Sequence, residues 1–426
     1  MKNYHNKKDL KNFGRRDFLK RSLISGISVC CLPVRGYSFL SENQKTDFRL
    51  SLDTPTRHFD EKRRSWVHPR AGIVPGAGKD GLPRVVMTMN LISGSDVFNT
   101  IYGLETDDLG KTWTSPEEII PLAPHYEEIK GVKRPVVVSD FWPRWHKKTK
   151  VLLGTGHTVI YAPDWKFVSG PRPRHTSYAI YDQGTNAWLP WQKLEMPDPE
   201  RFYDCGAGST QRYDEEDGSI LLPVYFRLPG AGRISTVTIS RCKFDGDKLQ
   251  WVEHGNELST DVPRGFGEPS ITFFQGWYFL TIRNDEKGYV AKSADGLHFD
   301  EPIPWTFDDG TDLGNYNTQQ HWVTHSDGLF LVYTRRGANN DHVTRHRAPL
   351  FMAQVDPDKL CVIRETECIL VPERGATLGN FGVTDVSEQE TWVTAAEVML
   401  HPGVEKYGSD GSVFVARIHW EKPNRL

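Results

Sequence analysis

From about residue 47 onward, apolar and polar positions alternate in short runs rich in Val, Ile, Tyr, Phe and Thr, each bounded by Gly, Asp or Pro. Helical spacing is almost absent. One pattern repeats: a strand, a tight Asp/Gly turn, then an aromatic or apolar residue opening the next strand. It occurs at Ile101–Trp113, Tyr178–Trp188, Val237–Trp251, Tyr289–Phe299 and Phe351–Leu360, and a last strand, Val413–Trp420, closes the chain. The copies lie about 50 to about 80 residues apart, the spacing of four-stranded propeller blades with loop insertions. The pattern predicts an all-β chain, a β-propeller with six clear modules. A seventh blade would have to come from the stretch Asp47 to Trp66 closing onto the C-terminus.

Two of the turns are more specific. Thr106-Asp-Asp-Leu-Gly-Lys-Thr-Trp113 fits the Asp-box pattern, and Ser293-Ala-Asp-Gly-Leu-His-Phe299 is a variant one residue shorter. In such a turn the Asp side chain accepts from backbone N–H groups, Gly supplies a positive φ, and the ring packs between sheets. These are marks of fold, not of chemistry.

The N-terminus reads differently. Gly14-Arg-Arg-Asp-Phe-Leu-Lys20, the apolar run Ser22–Leu32 and Pro33 form a twin-arginine export signal, so residues 1–40 are set aside as a leader and 41–426 as a single propeller domain. The expected destination is the periplasm, with no transmembrane segment in the mature chain. Ile27-Ser28-Val29 is a poor lipobox, so lipid anchoring at Cys30 or Cys31 is not expected. The leader carries a surplus of seven positive charges, which moves the rest from −3 to about −10. That balance excludes a nucleic-acid binder. Cys205, Cys242, Cys361 and Cys368 lack paired Cys-x-x-Cys spacing, which argues against zinc and leaves room for one disulfide.

Against this acidic background, Tyr333–Leu350 packs four arginines and two histidines between two strand-like runs. Such a loop is suited to holding a carboxylate while a proton moves, although a solvated hairpin with scattered charge has the same composition. In four-stranded blades with Asp boxes between strands three and four, the remaining loops share the opposite, upper face. That face collects His157, Arg172, Arg174 and His175 from the second module, Arg227 from the third and Arg283 from the fourth. The Arg335 to Arg347 segment comes from the fifth, and connections between blades add Glu268, Tyr316 to His321 and Gly379-Asn380-Phe381. Taken singly, each has a plain structural role: His157 as a capped turn residue, Arg283 paired with Asp285 or Glu286, Gln320 satisfying buried backbone. Arg212 ends a first strand and points to the lower face unless it projects into the channel. Convergence on one rim is what points to a pocket.

Gly154-Thr-Gly-His157, Gly206-Ala-Gly-Ser-Thr-Gln-Arg212, Tyr316-Asn-Thr-Gln-Gln-His-Trp322, Tyr333–Leu350 and Leu378-Gly-Asn-Phe381 together resemble the sialidase-like propellers of glycoside hydrolase family 145 and polysaccharide lyase family 42. The resemblance spans about residues 60–420. It implies a seven-bladed propeller acting on rhamnose–glucuronate linkages of acidic polysaccharides of the ulvan or arabinogalactan type, as a monomer with an anionic oligosaccharide as partner. No cofactor is required, and a calcium ion in the central channel is conceivable without a recognisable loop for it.

One branch of these relatives eliminates across the uronate. It implies Arg283 and Arg335 as carboxylate partners, with Arg212, Gln320 and His342 also contacting substrate, and His157, His321 or Tyr316 as base and acid. The other branch hydrolyses terminal rhamnose with a single histidine on the opposite face, where His68 fits better than His58. Elimination, releasing either a sugar or water as a lyase or a dehydratase would, is the leading expectation. A non-catalytic sugar-binding propeller would instead show aromatic platforms. A true sialidase needs an arginine triad, a Tyr–Glu pair and an Asp, and His68-Pro-Arg-Ala-Gly-Ile-Val-Pro75 matches its early motif only loosely.

Overall fold

The computed structural model describes residues 48–168 and 172–426, which belong to one compact unit; the expected leader, with Cys30 and Cys31, lies outside them. Six antiparallel sheets are arranged as blades. In each, short alternating strands bury one set of side chains against the sheet before and the other against the sheet after, which is why neither face reads as polar.

Blade one is built from Ser65–Val74, Arg84–Gly94, Val97–Thr106 and Glu117–Glu118. Blade two uses Val132–His146, Val151–Ile160, Thr176–Asp182 and Ala187–Trp188, with His125–Ile129 added beside its inner strand. In blade three a broken inner strand, Asp204–Gly206 and Tyr213–Asp214, pairs with Ser219–Arg227, followed by Thr236–Phe244 and Leu249–His254. Blade four runs Gly267–Phe274, Trp277–Arg283, Gly288–Ser293 and Ile303–Pro304. Blade five has His321–His325, Gly328–Tyr333 and Leu350–Asp356, edged by Cys361–Val362 and Cys368–Val371.

Blade six settles the count. Gly382–Ser387, Glu390–Ala396 and Ser412–Trp420 are completed by Phe48–Arg57, which pairs from Phe48 opposite Trp420 to Arg57 opposite Ser412. The stretch that would have built a seventh blade therefore supplies the outer strand of the sixth, and the ring of six replaces the seven that the resemblance implied. This pairing of first and last strands leaves no open edge between them.

Both Asp boxes join third to fourth strands as expected. Asp108 accepts from Thr112 N at 2.8 Å, Gly110 has φ 78°, and the Trp113 ring reaches Trp392 of blade six at 5.8 Å. Asp295 likewise accepts from the N–H groups of Leu297 and His298. The four cysteines of the propeller are all free thiols, so the possible disulfide is not formed. Among the described residues no helix is long and apolar enough to cross a membrane.

The inner strands carry the feature that positions the site. Register shifts interrupt them between Val67 and Arg70, Ser139 and Trp142, and Gly267 and Ser270. At this level five successive blades place a non-glycine residue in the left-handed region: His68, Asp140, Ser209, Glu268 and Asn317, with φ between 44° and 57°. Each such residue costs about 1 kcal/mol or more. These local irregularities re-aim the side chains, so that His68, Asp140 and Ser209 of three successive blades meet.

Candidate active site at the propeller mouth

Asp140 is the hub. His68 Nε2 lies 3.1 Å from one carboxylate oxygen and His157 Nε2 3.2 Å from the other, while Ser209 Oγ donates to the first and Arg70 Nη1 stands 3.4 Å from it. Burial opposes ionisation of Asp140, but His68, which is charged only at the acid pH where the carboxyl would titrate, the hydrogen bond from His157 and the Arg70 charge outweigh it and hold the carboxyl well below its usual range. Burial keeps His68 neutral, with its pKa lowered to about 4.

The glycine-rich motifs exist to let these groups approach. A Cβ on Gly206 would sit 2.7 Å from the His157 Cβ, and one on Gly208 would collide with the His157 ring. Gly379 likewise leaves space for the Arg347 side chain, whose Cδ would stand 2.7 Å from a Cβ there. With Asp140 accepting from Nε2, His157 presents Nδ1 to the Tyr225 hydroxyl, 3.4 Å away. Burial pushes the Tyr225 phenol up to about 12, so it stands as a protonated donor beside the imidazole.

A second run of contacts links Asp140 to the arginines. Arg70, fully buried, donates to Asp140 O and Phe381 O; Gln319, its amide turned to suit both neighbours, accepts from Arg70 Nη2 at 3.1 Å and donates to Glu268 at 3.2 Å. Glu268 pairs with Arg283, and Arg283 Nη2 donates to Asn317 Oδ1 at 2.9 Å. Arg347 donates to the carbonyl of Asn317 and, among the described residues, has no carboxylate as a hydrogen-bond or ion-pair partner. Burial and the neighbouring Arg283 and Arg345 charges lower its pKa to about 9. Glu268 and Asp96 offset this only in part, so an arginine with no paired carboxylate beside two other arginines is a place for an anion.

The structure brings some of the expected site residues together and separates others. His157, His68 and Arg283 meet in this network; His68 shares the carboxylate of His157 and does not lie on the opposite face. Tyr316 stands at the same rim, its hydroxyl 2.6 Å from His346 Nδ1. His321 lies under the mouth, fully buried between the rings of Trp142 and Phe381, with Nδ1 on Ser270 Oγ. Burial, and then the Arg70 charge, hold its pKa well below the ordinary value.

Gln320 is equally buried and spent on Thr281 Oγ1 and Thr318 O. Arg212 points to the lower side, bonded to Leu153 O, Arg144 O and Asp214. Arg335 is clamped bidentately by Glu367 near Phe351, and His342 pairs with Glu373 against the Tyr407 ring, both on the outer rim. These four are thus committed to other partners: buried backbone and hydroxyl groups for Gln320, carbonyls and Asp214 for Arg212, and Glu367 and Glu373 for Arg335 and His342. Asp140, Tyr225 and Arg347 were not singled out as site residues, since an isolated Asp or Tyr inside a strand carries no sequence signal. Among the described residues no group of three or more His, Cys, Asp or Glu is arranged to hold a metal.

Compared with solved structures, the chain has the shape of sialidase-like six-bladed propellers. It resembles the Hadza microbial sialidase Hz136 at a TM-score of 0.57 and 12% identity, covering 84% of this chain and 67% of that one. Trypanosoma rangeli sialidase gives 0.53 and 13%, covering 85% and 57%, so this chain spans little more than half of that protein. A protein of unknown function from Dyadobacter fermentans DSM 18053 gives 0.53 and 14%, covering 87% and 99%. At such identities the likeness shows the fold alone. No family model matches the sequence, and no curated protein does.

Proposed function

We propose that the mouth binds the carboxylate of a glucuronate unit in a rhamnose-containing acidic oligosaccharide and cleaves the chain by β-elimination. The observation that carries this reading is Arg347, a guanidinium without a carboxylate partner, at the end of a network that begins at the Tyr225–His157–Asp140 relay. Arg347 and Arg283 take the uronate carboxylate, which delocalises the charge that develops when the C5 hydrogen leaves. Tyr225 passes its proton to His157 Nδ1, and the imidazolium is held by Asp140. The phenolate takes the C5 hydrogen, the C4=C5 bond forms, and the C4–O bond breaks with its electron pair on oxygen. Tyr225 then protonates that oxygen and recovers its proton from His157. Glucuronate presents the C5 hydrogen and O4 on one face of its ring, so one relay serves both transfers.

The sialidase neighbours support a carbohydrate ligand without favouring sialidase chemistry. Arg70, in the segment that loosely matches the early sialidase motif, is fully buried and spent on Asp140, Ser209 and Phe381. The test is incubation with rhamnosyl-glucuronate oligosaccharides while ultraviolet absorbance is followed. A rise from the conjugated double bond is expected. Free rhamnose without that rise marks a hydrolase using His68, and tight binding without turnover marks a sugar-binding propeller.

A further inference from the structure

A second cluster of arginines lies beside Tyr225. Arg174 stacks over the Tyr225 ring at 4.0 Å and donates to Asp204 Oδ1 at 2.8 Å, and Arg227 donates to Asp204 Oδ2 at 3.2 Å. Asp204 is thereby fully used. Arg172 joins the same group, near Asp204 but without a hydrogen bond or ion pair to a carboxylate among the described residues: Nη1 donates to Val168 O at 2.7 Å, the guanidinium lies 4.2 Å over the Phe167 ring, and Nε is buried without a partner among the described residues.

Three arginines against one aspartate leave a surplus of positive charge, and burial together with Arg174 lowers the Arg172 pKa. Arg172 is half-buried and shares its one nearby carboxylate, Asp204, with two other arginines, and a bound anion would offset that excess charge. Nothing in the relay or in the clamp at Arg347 uses Arg172.

We propose that Arg172 forms a second anion subsite, which takes a further acidic group on the same oligosaccharide, so that the preferred substrate carries two negative charges flanking the bond at Tyr225. This rests on the uronate reading for the class of ligand. The second group is an oxyanion, either a sulfate ester or another carboxylate, and the flat guanidinium accepts both geometries.

Binding separates the possibilities without needing turnover. Titration calorimetry on Tyr225→Phe uses three probes: a rhamnosyl-glucuronate oligosaccharide, the same molecule bearing one sulfate ester, and a fragment with two adjacent uronates. One extra charge-assisted contact should tighten a doubly charged probe by about tenfold or more. Arg172→Gln should erase that gain and leave the singly charged probe unchanged. Whichever doubly charged probe gains more identifies the second group. Equal affinity for all three probes, or a gain that survives Arg172→Gln, overturns the subsite while leaving the uronate reading intact. Failure of every probe to bind overturns both.

Discussion

His157 and Asp140 meet through Nε2 and Oδ2 at 3.2 Å, and this contact decides which imidazole nitrogen faces Tyr225. An anionic Asp140 accepts from Nε2–H, so Nδ1 keeps its lone pair for the phenol. Asp140→Asn retains the shape but offers an amide that can present the wrong atom. It also strips Arg70 of its buried countercharge. Turnover should fall about a hundredfold or more, and the melting temperature should fall too, because breaking a buried ion pair costs about 3–5 kcal/mol. Steady-state rates paired with thermal melts check this, and an unchanged rate would remove Asp140 from the relay.

Tyr225→Phe separates the relay from the packing. The ring still stacks under Arg174, so folding should be close to wild type, while the group facing the substrate loses its proton. A fall in kcat of about 10²- to 10⁴-fold with little change in KM is expected. His157→Ala should show a similar fall, and the double variant little more than either single one, since both act in one transfer. Additive losses would indicate separate roles.

Arg347 and Arg335 come from the same basic segment but differ in their partners. Arg347 has no carboxylate, whereas Arg335 is closed by Glu367 at 2.8 and 2.6 Å. Arg347→Ala should therefore raise KM and lower kcat/KM by about a hundredfold, the loss of a strong charge-assisted contact. Arg335→Ala should leave both constants alone and lower the melting temperature. The reverse result would move the clamp to the outer rim.

The propeller was legible because its signals are local: alternation at a period of two, and Asp boxes whose hydrogen bonds span a few residues. The closure was not, because Phe48–Arg57 finds its partner only in Ser412–Trp420, at the other end of the chain. The rim was legible as a collection of Arg and His, yet which of them stay free was hidden. Arg335 and Arg347 look alike in sequence, and only the folding of Glu367 back onto Arg335 tells them apart. Tyr225 and Asp140 were invisible for a related reason. Asp140 owes its role to a bulge and a left-handed backbone, and Tyr225 to the His157 that packs against it from the neighbouring blade; no residue preference announces either.

Gly208 offers a test of crowding at the relay. A methyl group there would collide with the His157 imidazole, while the nearby blade core is untouched. Gly208→Ala should thus displace His157 from Tyr225 and cost activity far more than stability, with overpacking contributing only about 1–3 kcal/mol. Activity that tracks wild type would show that the ring tolerates the shift.

The buried histidine gives a pH dependence whose sign is fixed. His68 is held by burial at about 4 in the native state, whereas in an unfolded chain it titrates near 6.5. Between those values the unfolded chain binds a proton that the native protein refuses, so stability rises with pH across the interval. The contribution is complete above about pH 6.5 and is lost on acidification toward pH 4, at up to about 1.4 kcal/mol per pH unit. Asp140, held below its unfolded value, adds a further loss only at more acidic pH, as the unfolded carboxylate begins to take up protons. Denaturant titrations at pH 7, 6, 5 and 4 should show the midpoint falling steadily. His68→Gln, which cannot titrate, should make that fall shallower between pH 6.5 and 4, leaving the share of two other histidines held low by burial, His321 and His175, even if its overall stability is lower. A wild-type slope retained in the variant would assign the acid sensitivity to other groups and place a charged His68 in the native mouth.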